Sequence, residues 1–470
     1  MTDTETPPTT PAPRALWLTL FVVLLADAMD LMDATIANVA APTIVRDLGA
    51  DERLIPWLGA SYALALGSLL VLGGRLGDRF GQRRTFLVGL IGFIVGSALA
   101  GIAPSPAALL AGRVVQGVFG ALLIPQGMAI MAATFPKPML RTAFAVFAPM
   151  LGVFAVAGPI VGGILIDADL LGLQWRPIFL INILLGGVAL VLALRYLPAT
   201  PGDRSTTIDL AGSALLAAAL FGLIFGLVNG SSDGWSVAPI ASLVVGLGLL
   251  AAFARRQTRA DEPLLPRRLL ANRGFSAGLV VGLCVFASFS GLMYVISLFL
   301  QLGLGFSPTR TAVNLIPLTV GIIIGSAIAH ALIVRLGRRM VLAGMLTTLI
   351  GIGALLLVVV EAGLDATWWQ LLIATTIIGI AAGVSFNSVF NTAMGDVGAD
   401  EAGAASGSLS AIQQVANGIG SALVTTIFIG SLSSGAASAM TTTLLVLLGV
   451  AAVCLLAVPL LPRAAVAIDE

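Results

Sequence analysis

The chain has 470 residues, 58% of them hydrophobic and 10% charged, with a formal net charge of +1 and a mean hydropathy of +1.05. A soluble domain carries about 25% charged residues, so water is excluded as the main solvent of this surface, and the near-zero charge gives no footing for nucleic acid or an acidic partner. Cys284 and Cys454 each sit inside an apolar run, which argues against a disulfide framework and a cysteine metal site; no metal is expected.

In chain order, residues 1–15 are polar and proline-rich and read as a disordered cytoplasmic tail. They lack the basic stretch of a signal peptide, so the first apolar run is expected to be retained. A membrane span needs about 20 mainly apolar residues. Such runs recur from breaker to breaker at 16–39, 54–74, 85–103, 107–133, 142–166, 177–197, 208–230, 237–254, 275–301, 309–333, 340–361, 368–394, 404–430 and 437–461. The expected fold is therefore an all-α polytopic membrane protein with fourteen transmembrane helices. Residues 16–197 form a first six-helix bundle, 208–254 an inserted hairpin, 255–274 a basic cytoplasmic loop, 275–461 a second six-helix bundle, and 462–470 a cytoplasmic tail. Two similar six-helix bundles around a central site are the layout of parallel-repeat transporters.

Charge placement agrees with that count. With the N-terminus inside, nineteen of the 24 lysines and arginines fall on cytoplasmic loops, as retained positive charge requires. Both termini are then cytoplasmic. Trp57, Trp175, Trp235, Trp368 and Trp369 fall at outer helix ends, where interfacial aromatics concentrate.

The most specific string is GGRLGDRFGQRR, from Gly73 to Arg84, after the second span; IVRLGRR echoes it in the second half. Gly74 and Gly81 permit a tight turn, while Arg79 and Arg84 hold it at the anionic leaflet. Asp78 is the one acid, placed to cap a helix N-terminus in the other half. A basic loop that only sets topology has no need of those glycines or that acid.

This string resembles the signature loop of the major facilitator superfamily. Three others resemble its fourteen-span drug:proton antiporter branch of QacA/EmrB type. They are LMDATIANVAAP (Leu31 to Pro42), Arg113-Val114-Val115-Gln116-Gly117, and GVFAVAGPIVGG (Gly152 to Gly163). Trp57 with Tyr62, WRPIFLIN and GLGFSP are fainter likenesses, and Ala37, Ala41 and Gln82 depart from the pattern without removing a functional group. The resemblance implies proton-driven export of hydrophobic, often cationic, drugs from the bacterial cytoplasmic membrane, by a chain that works as a monomer. It also implies that Gly158, Pro159, Gly162 and Gly163 form a hinge and seal between the halves. By physics alone, Gly158-Pro159 is a helix kink.

Asp27, Asp30 and Asp33 are the acids deep in a span. Intramembrane ionisable groups are costly and functional by default. Their three-residue spacing puts them on one side of the first helix, expected to face a water-filled cavity and to couple protons or bind a cation. Asp33 is the one at the family position. Arg113 lies at the same depth, about 10 Å from the outer surface, which permits pairing with Asp33; a purely structural ion pair is the alternative. Asp33, Tyr62, Phe154, Tyr294, Asn387 and Asn391 are candidate substrate contacts. His330 offers either a proton relay or an interfacial packing group. The phosphate-binding pattern G-x-x-x-x-G-K-[ST] is missing, so ATP-driven transport within the chain is excluded. No enzymatic activity or cofactor is expected; the proton gradient is the energy source. The partners are protons, lipid and a small hydrophobic substrate. A dedicated exporter of one endogenous metabolite or lipid, an uptake symporter or facilitator, and a non-transporting scaffold are the rival readings.

Overall fold

The structure, a computed structural model, describes residues 13–199, 201–204, 209–260, 263, 267–393 and 402–461. The two expected tails, but for 13–15, and part of the basic loop lie outside the described residues, as does Arg463. The first bundle comprises α1 (Pro13–Asp47), α2 (Leu54–Phe80), α3 (Gln82–Gly101), α4 (Pro106–Thr134), α5 (Lys137–Asp167) and α6 (Pro177–Tyr196). A hairpin of α7 (Leu210–Asp233) and α8 (Val237–Arg259) follows, then the short α9 (Arg267–Ala271). The second bundle is α10 (Arg273–Leu298), α11 (Pro308–Leu336), α12 (Arg338–Ala362), α13 (Trp368–Ala393), α14 (Ala402–Ser431) and α15 (Ala436–Ala457). Among the described residues, thirteen helices are long and apolar enough to cross a membrane. α5 spans 31 residues, with Ala157–Asp167 as its apolar stretch among the described residues.

Local chemistry sets the boundaries. Ser105, Asn272 and Ser307 accept backbone N–H groups at the starts of α4, α10 and α11, satisfying donors that a helix start leaves open. Asp209 caps α7 through Gly212 N at 2.8 Å and takes a two-pronged hydrogen bond from Arg256 of α8 at 2.8 and 2.9 Å, which ties the hairpin at its base. Gly81 (φ 97°) and Gly337 (φ 49°) make the turns after α2 and α11, in a backbone region that side chains disfavour. These are the corresponding turns of the GGRLGDRFGQRR and IVRLGRR strings.

The first span was expected to stop at 39, yet α1 continues to Asp47 with Pro42 inside it. Pro125 and Pro317 likewise lie within α4 and α11, and α5 stays helical through Gly158-Pro159. In a membrane bundle, neighbouring helices, hydroxyl side chains and local adjustments can satisfy the carbonyls that proline frees, so a proline is a weaker breaker there than in water.

Within the first bundle, α1 packs on α5 and α6, and α4 on α2 and α3. In the second, α13 packs on α10, α11 and α12. The bundles meet along two seams, α2 against α14 and α5 against α11, and α7 lies on α2 and α14. Outward-facing apolar residues such as Leu184, Val191, Val244, Leu357 and Leu456 are more than half exposed, a surface suited to hydrocarbon. The largest core cluster crosses from one bundle to the other, joining Ile44, Leu54 and Trp175 to Tyr294, Phe299, Leu318 and Phe428. It closes the end of the molecule that carries Asp47 and Ser307, opposite the arginine-rich turns.

Candidate functional site

α1 brings Asp27, Asp30 and Asp33 into the first bundle at 7%, 3% and 1% exposure. This corrects the expectation that they face an open cavity: α2, α4 and α6 pack over them. The three-residue spacing does keep them on one side, but that side is the bundle interior.

Asp33 is held from three directions. Its Oδ1 accepts Gln116 Nε2 of α4 and Asn182 Nδ2 of α6, each at 2.9 Å, and its Oδ2 accepts Arg113 Nη1 of α4. Arg113 is fully buried. Its Nε donates to Leu58 O of α2 at 3.1 Å, and its Nη1 also donates to Gln116 Oε1 at 3.0 Å. The guanidinium lies over the Tyr62 ring at 4.5 Å and the Phe179 ring at 5.6 Å. Gln116 is anchored in turn on Ser97 Oγ of α3 at 2.8 Å. A buried ion pair needs such additional hydrogen bonds to offset desolvation. Removing the charge of either partner would leave the other uncompensated in the bundle interior.

Tyr62 was expected at the wall of a substrate cavity. It is 1% exposed, and its hydroxyl donates to Asp30 Oδ1, so it belongs to the carboxylate centre. Among the described residues no hydrogen bond reaches Asp27, which sits beside Gly127.

Tyr294 also departs from expectation. It is 3% exposed and donates to Ile55 O of α2 at 3.2 Å, joining the bundles at the closed end. There α5 presses glycines against its neighbours. A Cβ on Gly158 would meet Thr35 Oγ1 and one on Gly162 the Ile36 side chain, both of α1. A Cβ on Gly163 would meet the Thr309 backbone of α11. One turn on, Asp167 Oδ2 accepts Thr309 N at 3.1 Å. Asp47 accepts Trp175 Nε1 at 2.8 Å and Arg176 Nη1 at 2.9 Å. Burial alone would raise that carboxyl, but these donors hold it below the usual carboxylate range.

At the opposite end Asp78 is exposed beside Arg75, and its carbonyl accepts Asp203 N at 2.8 Å. Of the side chains at 403–407, where its capping partner was expected, Ala405 is buried in a cluster with Leu269 and Phe275 and the other four lie outside the described residues. Gly74 and Arg79 are half-buried, Gly81 is buried and Arg84 exposed. Asn391 is exposed and donates to Asn387 Oδ1 at 2.7 Å. Phe386 and Phe390 beside it pack on Phe286. Phe154 is half-buried and His330 exposed.

The residues that sequence reasoning missed are Gln116, Asn182 and Ser97 around Asp33, and Asp47 and Asp167 at the closed end. Gln116 and Asn182 had a signal: each is an amide inside a mainly apolar span. Asp47 and Asp167 look like ordinary helix-end acids.

The family model of the Major Facilitator Superfamily matches residues 23–421. The chain is 38% identical to the probable actinorhodin transporter of Streptomyces coelicolor, over 90% of this chain and 74% of that protein. It is 34% identical to the tetracenomycin C resistance and export protein of Streptomyces glaucescens, over 87% and 75%. It is 35% identical to the puromycin resistance protein of Streptomyces alboniger, over 90% and 83%. Among solved structures, a POT family transporter in complex with a thioalcohol-conjugated peptide superposes with a TM-score of 0.69 at 15% identity, covering 95% of this chain and 96% of that one. That likeness concerns the fold alone. With its helical bundles, buried intramembrane charge and family match, the chain belongs to the Major Facilitator Superfamily and is a transporter.

Proposed function

We propose that the chain is a fourteen-span exporter of the QacA/EmrB branch that exchanges protons for small hydrophobic, often cationic, compounds by alternating access. The observation that carries the reading is the fully buried Asp33–Arg113 pair with its amide donors Gln116 and Asn182. Such a centre is expensive in a bilayer, and a proton is the smallest ligand that can discharge it. Protonation of Asp33 leaves the Arg113 guanidinium uncompensated in the bundle interior, which favours a rearrangement of α4 against α1 and α2.

The direction of transport rests on the relatives, which are named for export and resistance. One inward charge contributes about 2.3 kcal/mol per 100 mV, a sufficient drive for uphill efflux. The arginine-rich turns support a cytoplasmic location for that end and for both termini. The conformation described here is then closed to the outside.

A narrower second reading is a dedicated exporter of one metabolite, favoured because all three of these relatives are named for a single compound. Transport in proteoliposomes under an imposed pH step tests the coupling, with ethidium as the lipophilic cation and actinorhodin as the metabolite. Asp33→Asn should abolish proton-driven export of whichever compound is carried while the protein still inserts. Undiminished proton-driven export in Asp33→Asn would remove Asp33 from the mechanism.

A further inference from the structure

We propose that Tyr62 is a positioning residue that ties Asp30 and Asp33 into one unit, its hydroxyl holding Asp30 while its ring carries the guanidinium that holds Asp33. The proposal rests on the proton-coupled reading above and adds the route by which two carboxylates sense each other.

Tyr62 is 1% exposed and its hydroxyl donates to Asp30 Oδ1. A phenol donating to a carboxylate is a charge-assisted bond. The Arg113 guanidinium sits 4.5 Å from the centroid of the same ring, where the ring quadrupole attracts a desolvated cation. One turn earlier on α2, Leu58 O accepts Arg113 Nε at 3.1 Å. A single helix face thus grips both the cation and the first carboxylate. α4 makes room for it: a Cβ on Gly117 would lie 2.5 Å from Tyr62 O, and one on Gly120 3.3 Å from Asp30 Oδ1 and 3.4 Å from Tyr62 Oη. The phenol hydroxyl and the Asp30 carboxylate thus share the space that Gly120 leaves open.

The charged and titratable groups facing Asp30 are Tyr62 from α2, Arg113 from α4, and Asp27 and Asp33 of its own helix. α5 and α6 carry ionisable residues only near their ends. α10 and α11 bring Tyr294, bound to Ile55 O, and Arg310, over the Phe306 ring. When Asp30 gains a proton, that proton stays on its carboxyl and Tyr62 keeps its own hydrogen. The phenol's bond then loses its charge assistance, since a protonated carboxyl accepts more weakly than a carboxylate. The hold on the ring loosens, and Arg113 with its hold on Asp33 shifts with it.

The test is an infrared pH titration of the protonated-carboxyl band on the purified full chain in detergent, which needs no substrate. The Asp33 step is the part of the band lost in Asp33→Asn. Tyr62→Phe keeps the ring and removes the hydroxyl; the Asp33 step should move by about one pH unit, tenfold in proton activity. In an Asp30→Asn background the same substitution should leave it in place. Tyr62→Leu in that background, where no Asp30 carboxylate is stranded, removes the ring under Arg113 and should move the step by about the same amount. That arm decides the matter if Tyr62→Phe alone does not fold. An Asp33 step unmoved by Tyr62→Phe, or by Tyr62→Leu over Asp30→Asn, overturns the proposal. A wild-type protein with no titrating carboxyl and no proton-driven export would instead sink the proton-coupled reading itself.

Discussion

Gly163→Ala should hold the closed end of this transporter open. An added Cβ would lie 2.7 Å from Thr309 Cα, 2.8 Å from Thr309 N and 2.9 Å from Pro308 C. Carbon atoms pack at about 3.5–4.0 Å, so α5 and α11 must part by about 1 Å. The obstructing atoms are backbone in the first turn of α11, and that turn is pinned twice. Ser307 Oγ accepts Arg310 N at 3.2 Å, and Asp167 accepts Thr309 N at 3.1 Å. No side chain can swing aside to relieve the contact. Overpacking of this kind costs about 1–3 kcal/mol. Charged wholly to the closed state, that is a population shift of roughly 5- to 150-fold. Spin labels at Glu52 and Leu364, both exposed and on opposite bundles, would report it by pulsed electron resonance as a loss of the short-distance population. Gly187→Ala is the control, since nothing lies within 4 Å of a Cβ there. If Gly163→Ala returned the wild-type distance distribution at wild-type stability, the close approach would not be what seals this end.

Three further outcomes are expected. Asp47 is held below the ordinary carboxylate range by Trp175 and Arg176, so its contribution is present above about pH 4 and lost as pH falls through its lowered value; Asp47→Asn should lower thermal stability at pH 7 and converge on wild type in acid. In a background lacking Cys284 and Cys454, a cysteine replacing Asp365 should react with an impermeant thiol reagent from outside the cell, and one replacing Arg338 only from inside; the reverse labelling would invert the topology. Asp78→Asn should slow transport severalfold with substrate affinity nearly intact, as loss of a helix-end charge contact of about 0.3–1 kcal/mol implies; an unchanged rate would leave this loop a topological signal and nothing more.

Much of the helical layout was legible because hydrocarbon demands long apolar runs and tolerates few charges, so each run between breakers marks a helix. The juxtaposition of Asp33 and Arg113 was legible for a similar reason: counting residues from opposite helix starts fixes depth, and two opposite charges at one depth have little else to pair with. Tyr62 and Tyr294 were not. A phenol in a span is equally at home against a cavity, a carboxylate or a carbonyl, and periodicity gives the face of a helix without naming the neighbour. Asp30 is bound by Tyr62 and Tyr294 by Ile55 O, contacts set by how α2 sits between α1 and α10. The end of α1 was misjudged for a different reason, since rules for proline learned in water overstate its power to stop a buried helix.

The α7–α8 hairpin makes the two seams mechanically unequal. Leu220, Ile224 and Val228 of α7 share one core cluster with Ala60 and Leu64 of α2 and with Val415 and Ala422 of α14. The hairpin is therefore stitched to both halves at once along the α2–α14 seam, and its own two helices are lashed at the base by Asp209 and Arg256. The opposite seam, α5 against α11, has no such third element across it among the described residues; glycine contact, the Asp167 bond and the packing of Ile166 near Leu315 and Leu318 hold it. A body strapped by a third element along one edge and not along the other opens like a book rather than like a pair of jaws. The spine is α7, and the pages part at α5 and α11.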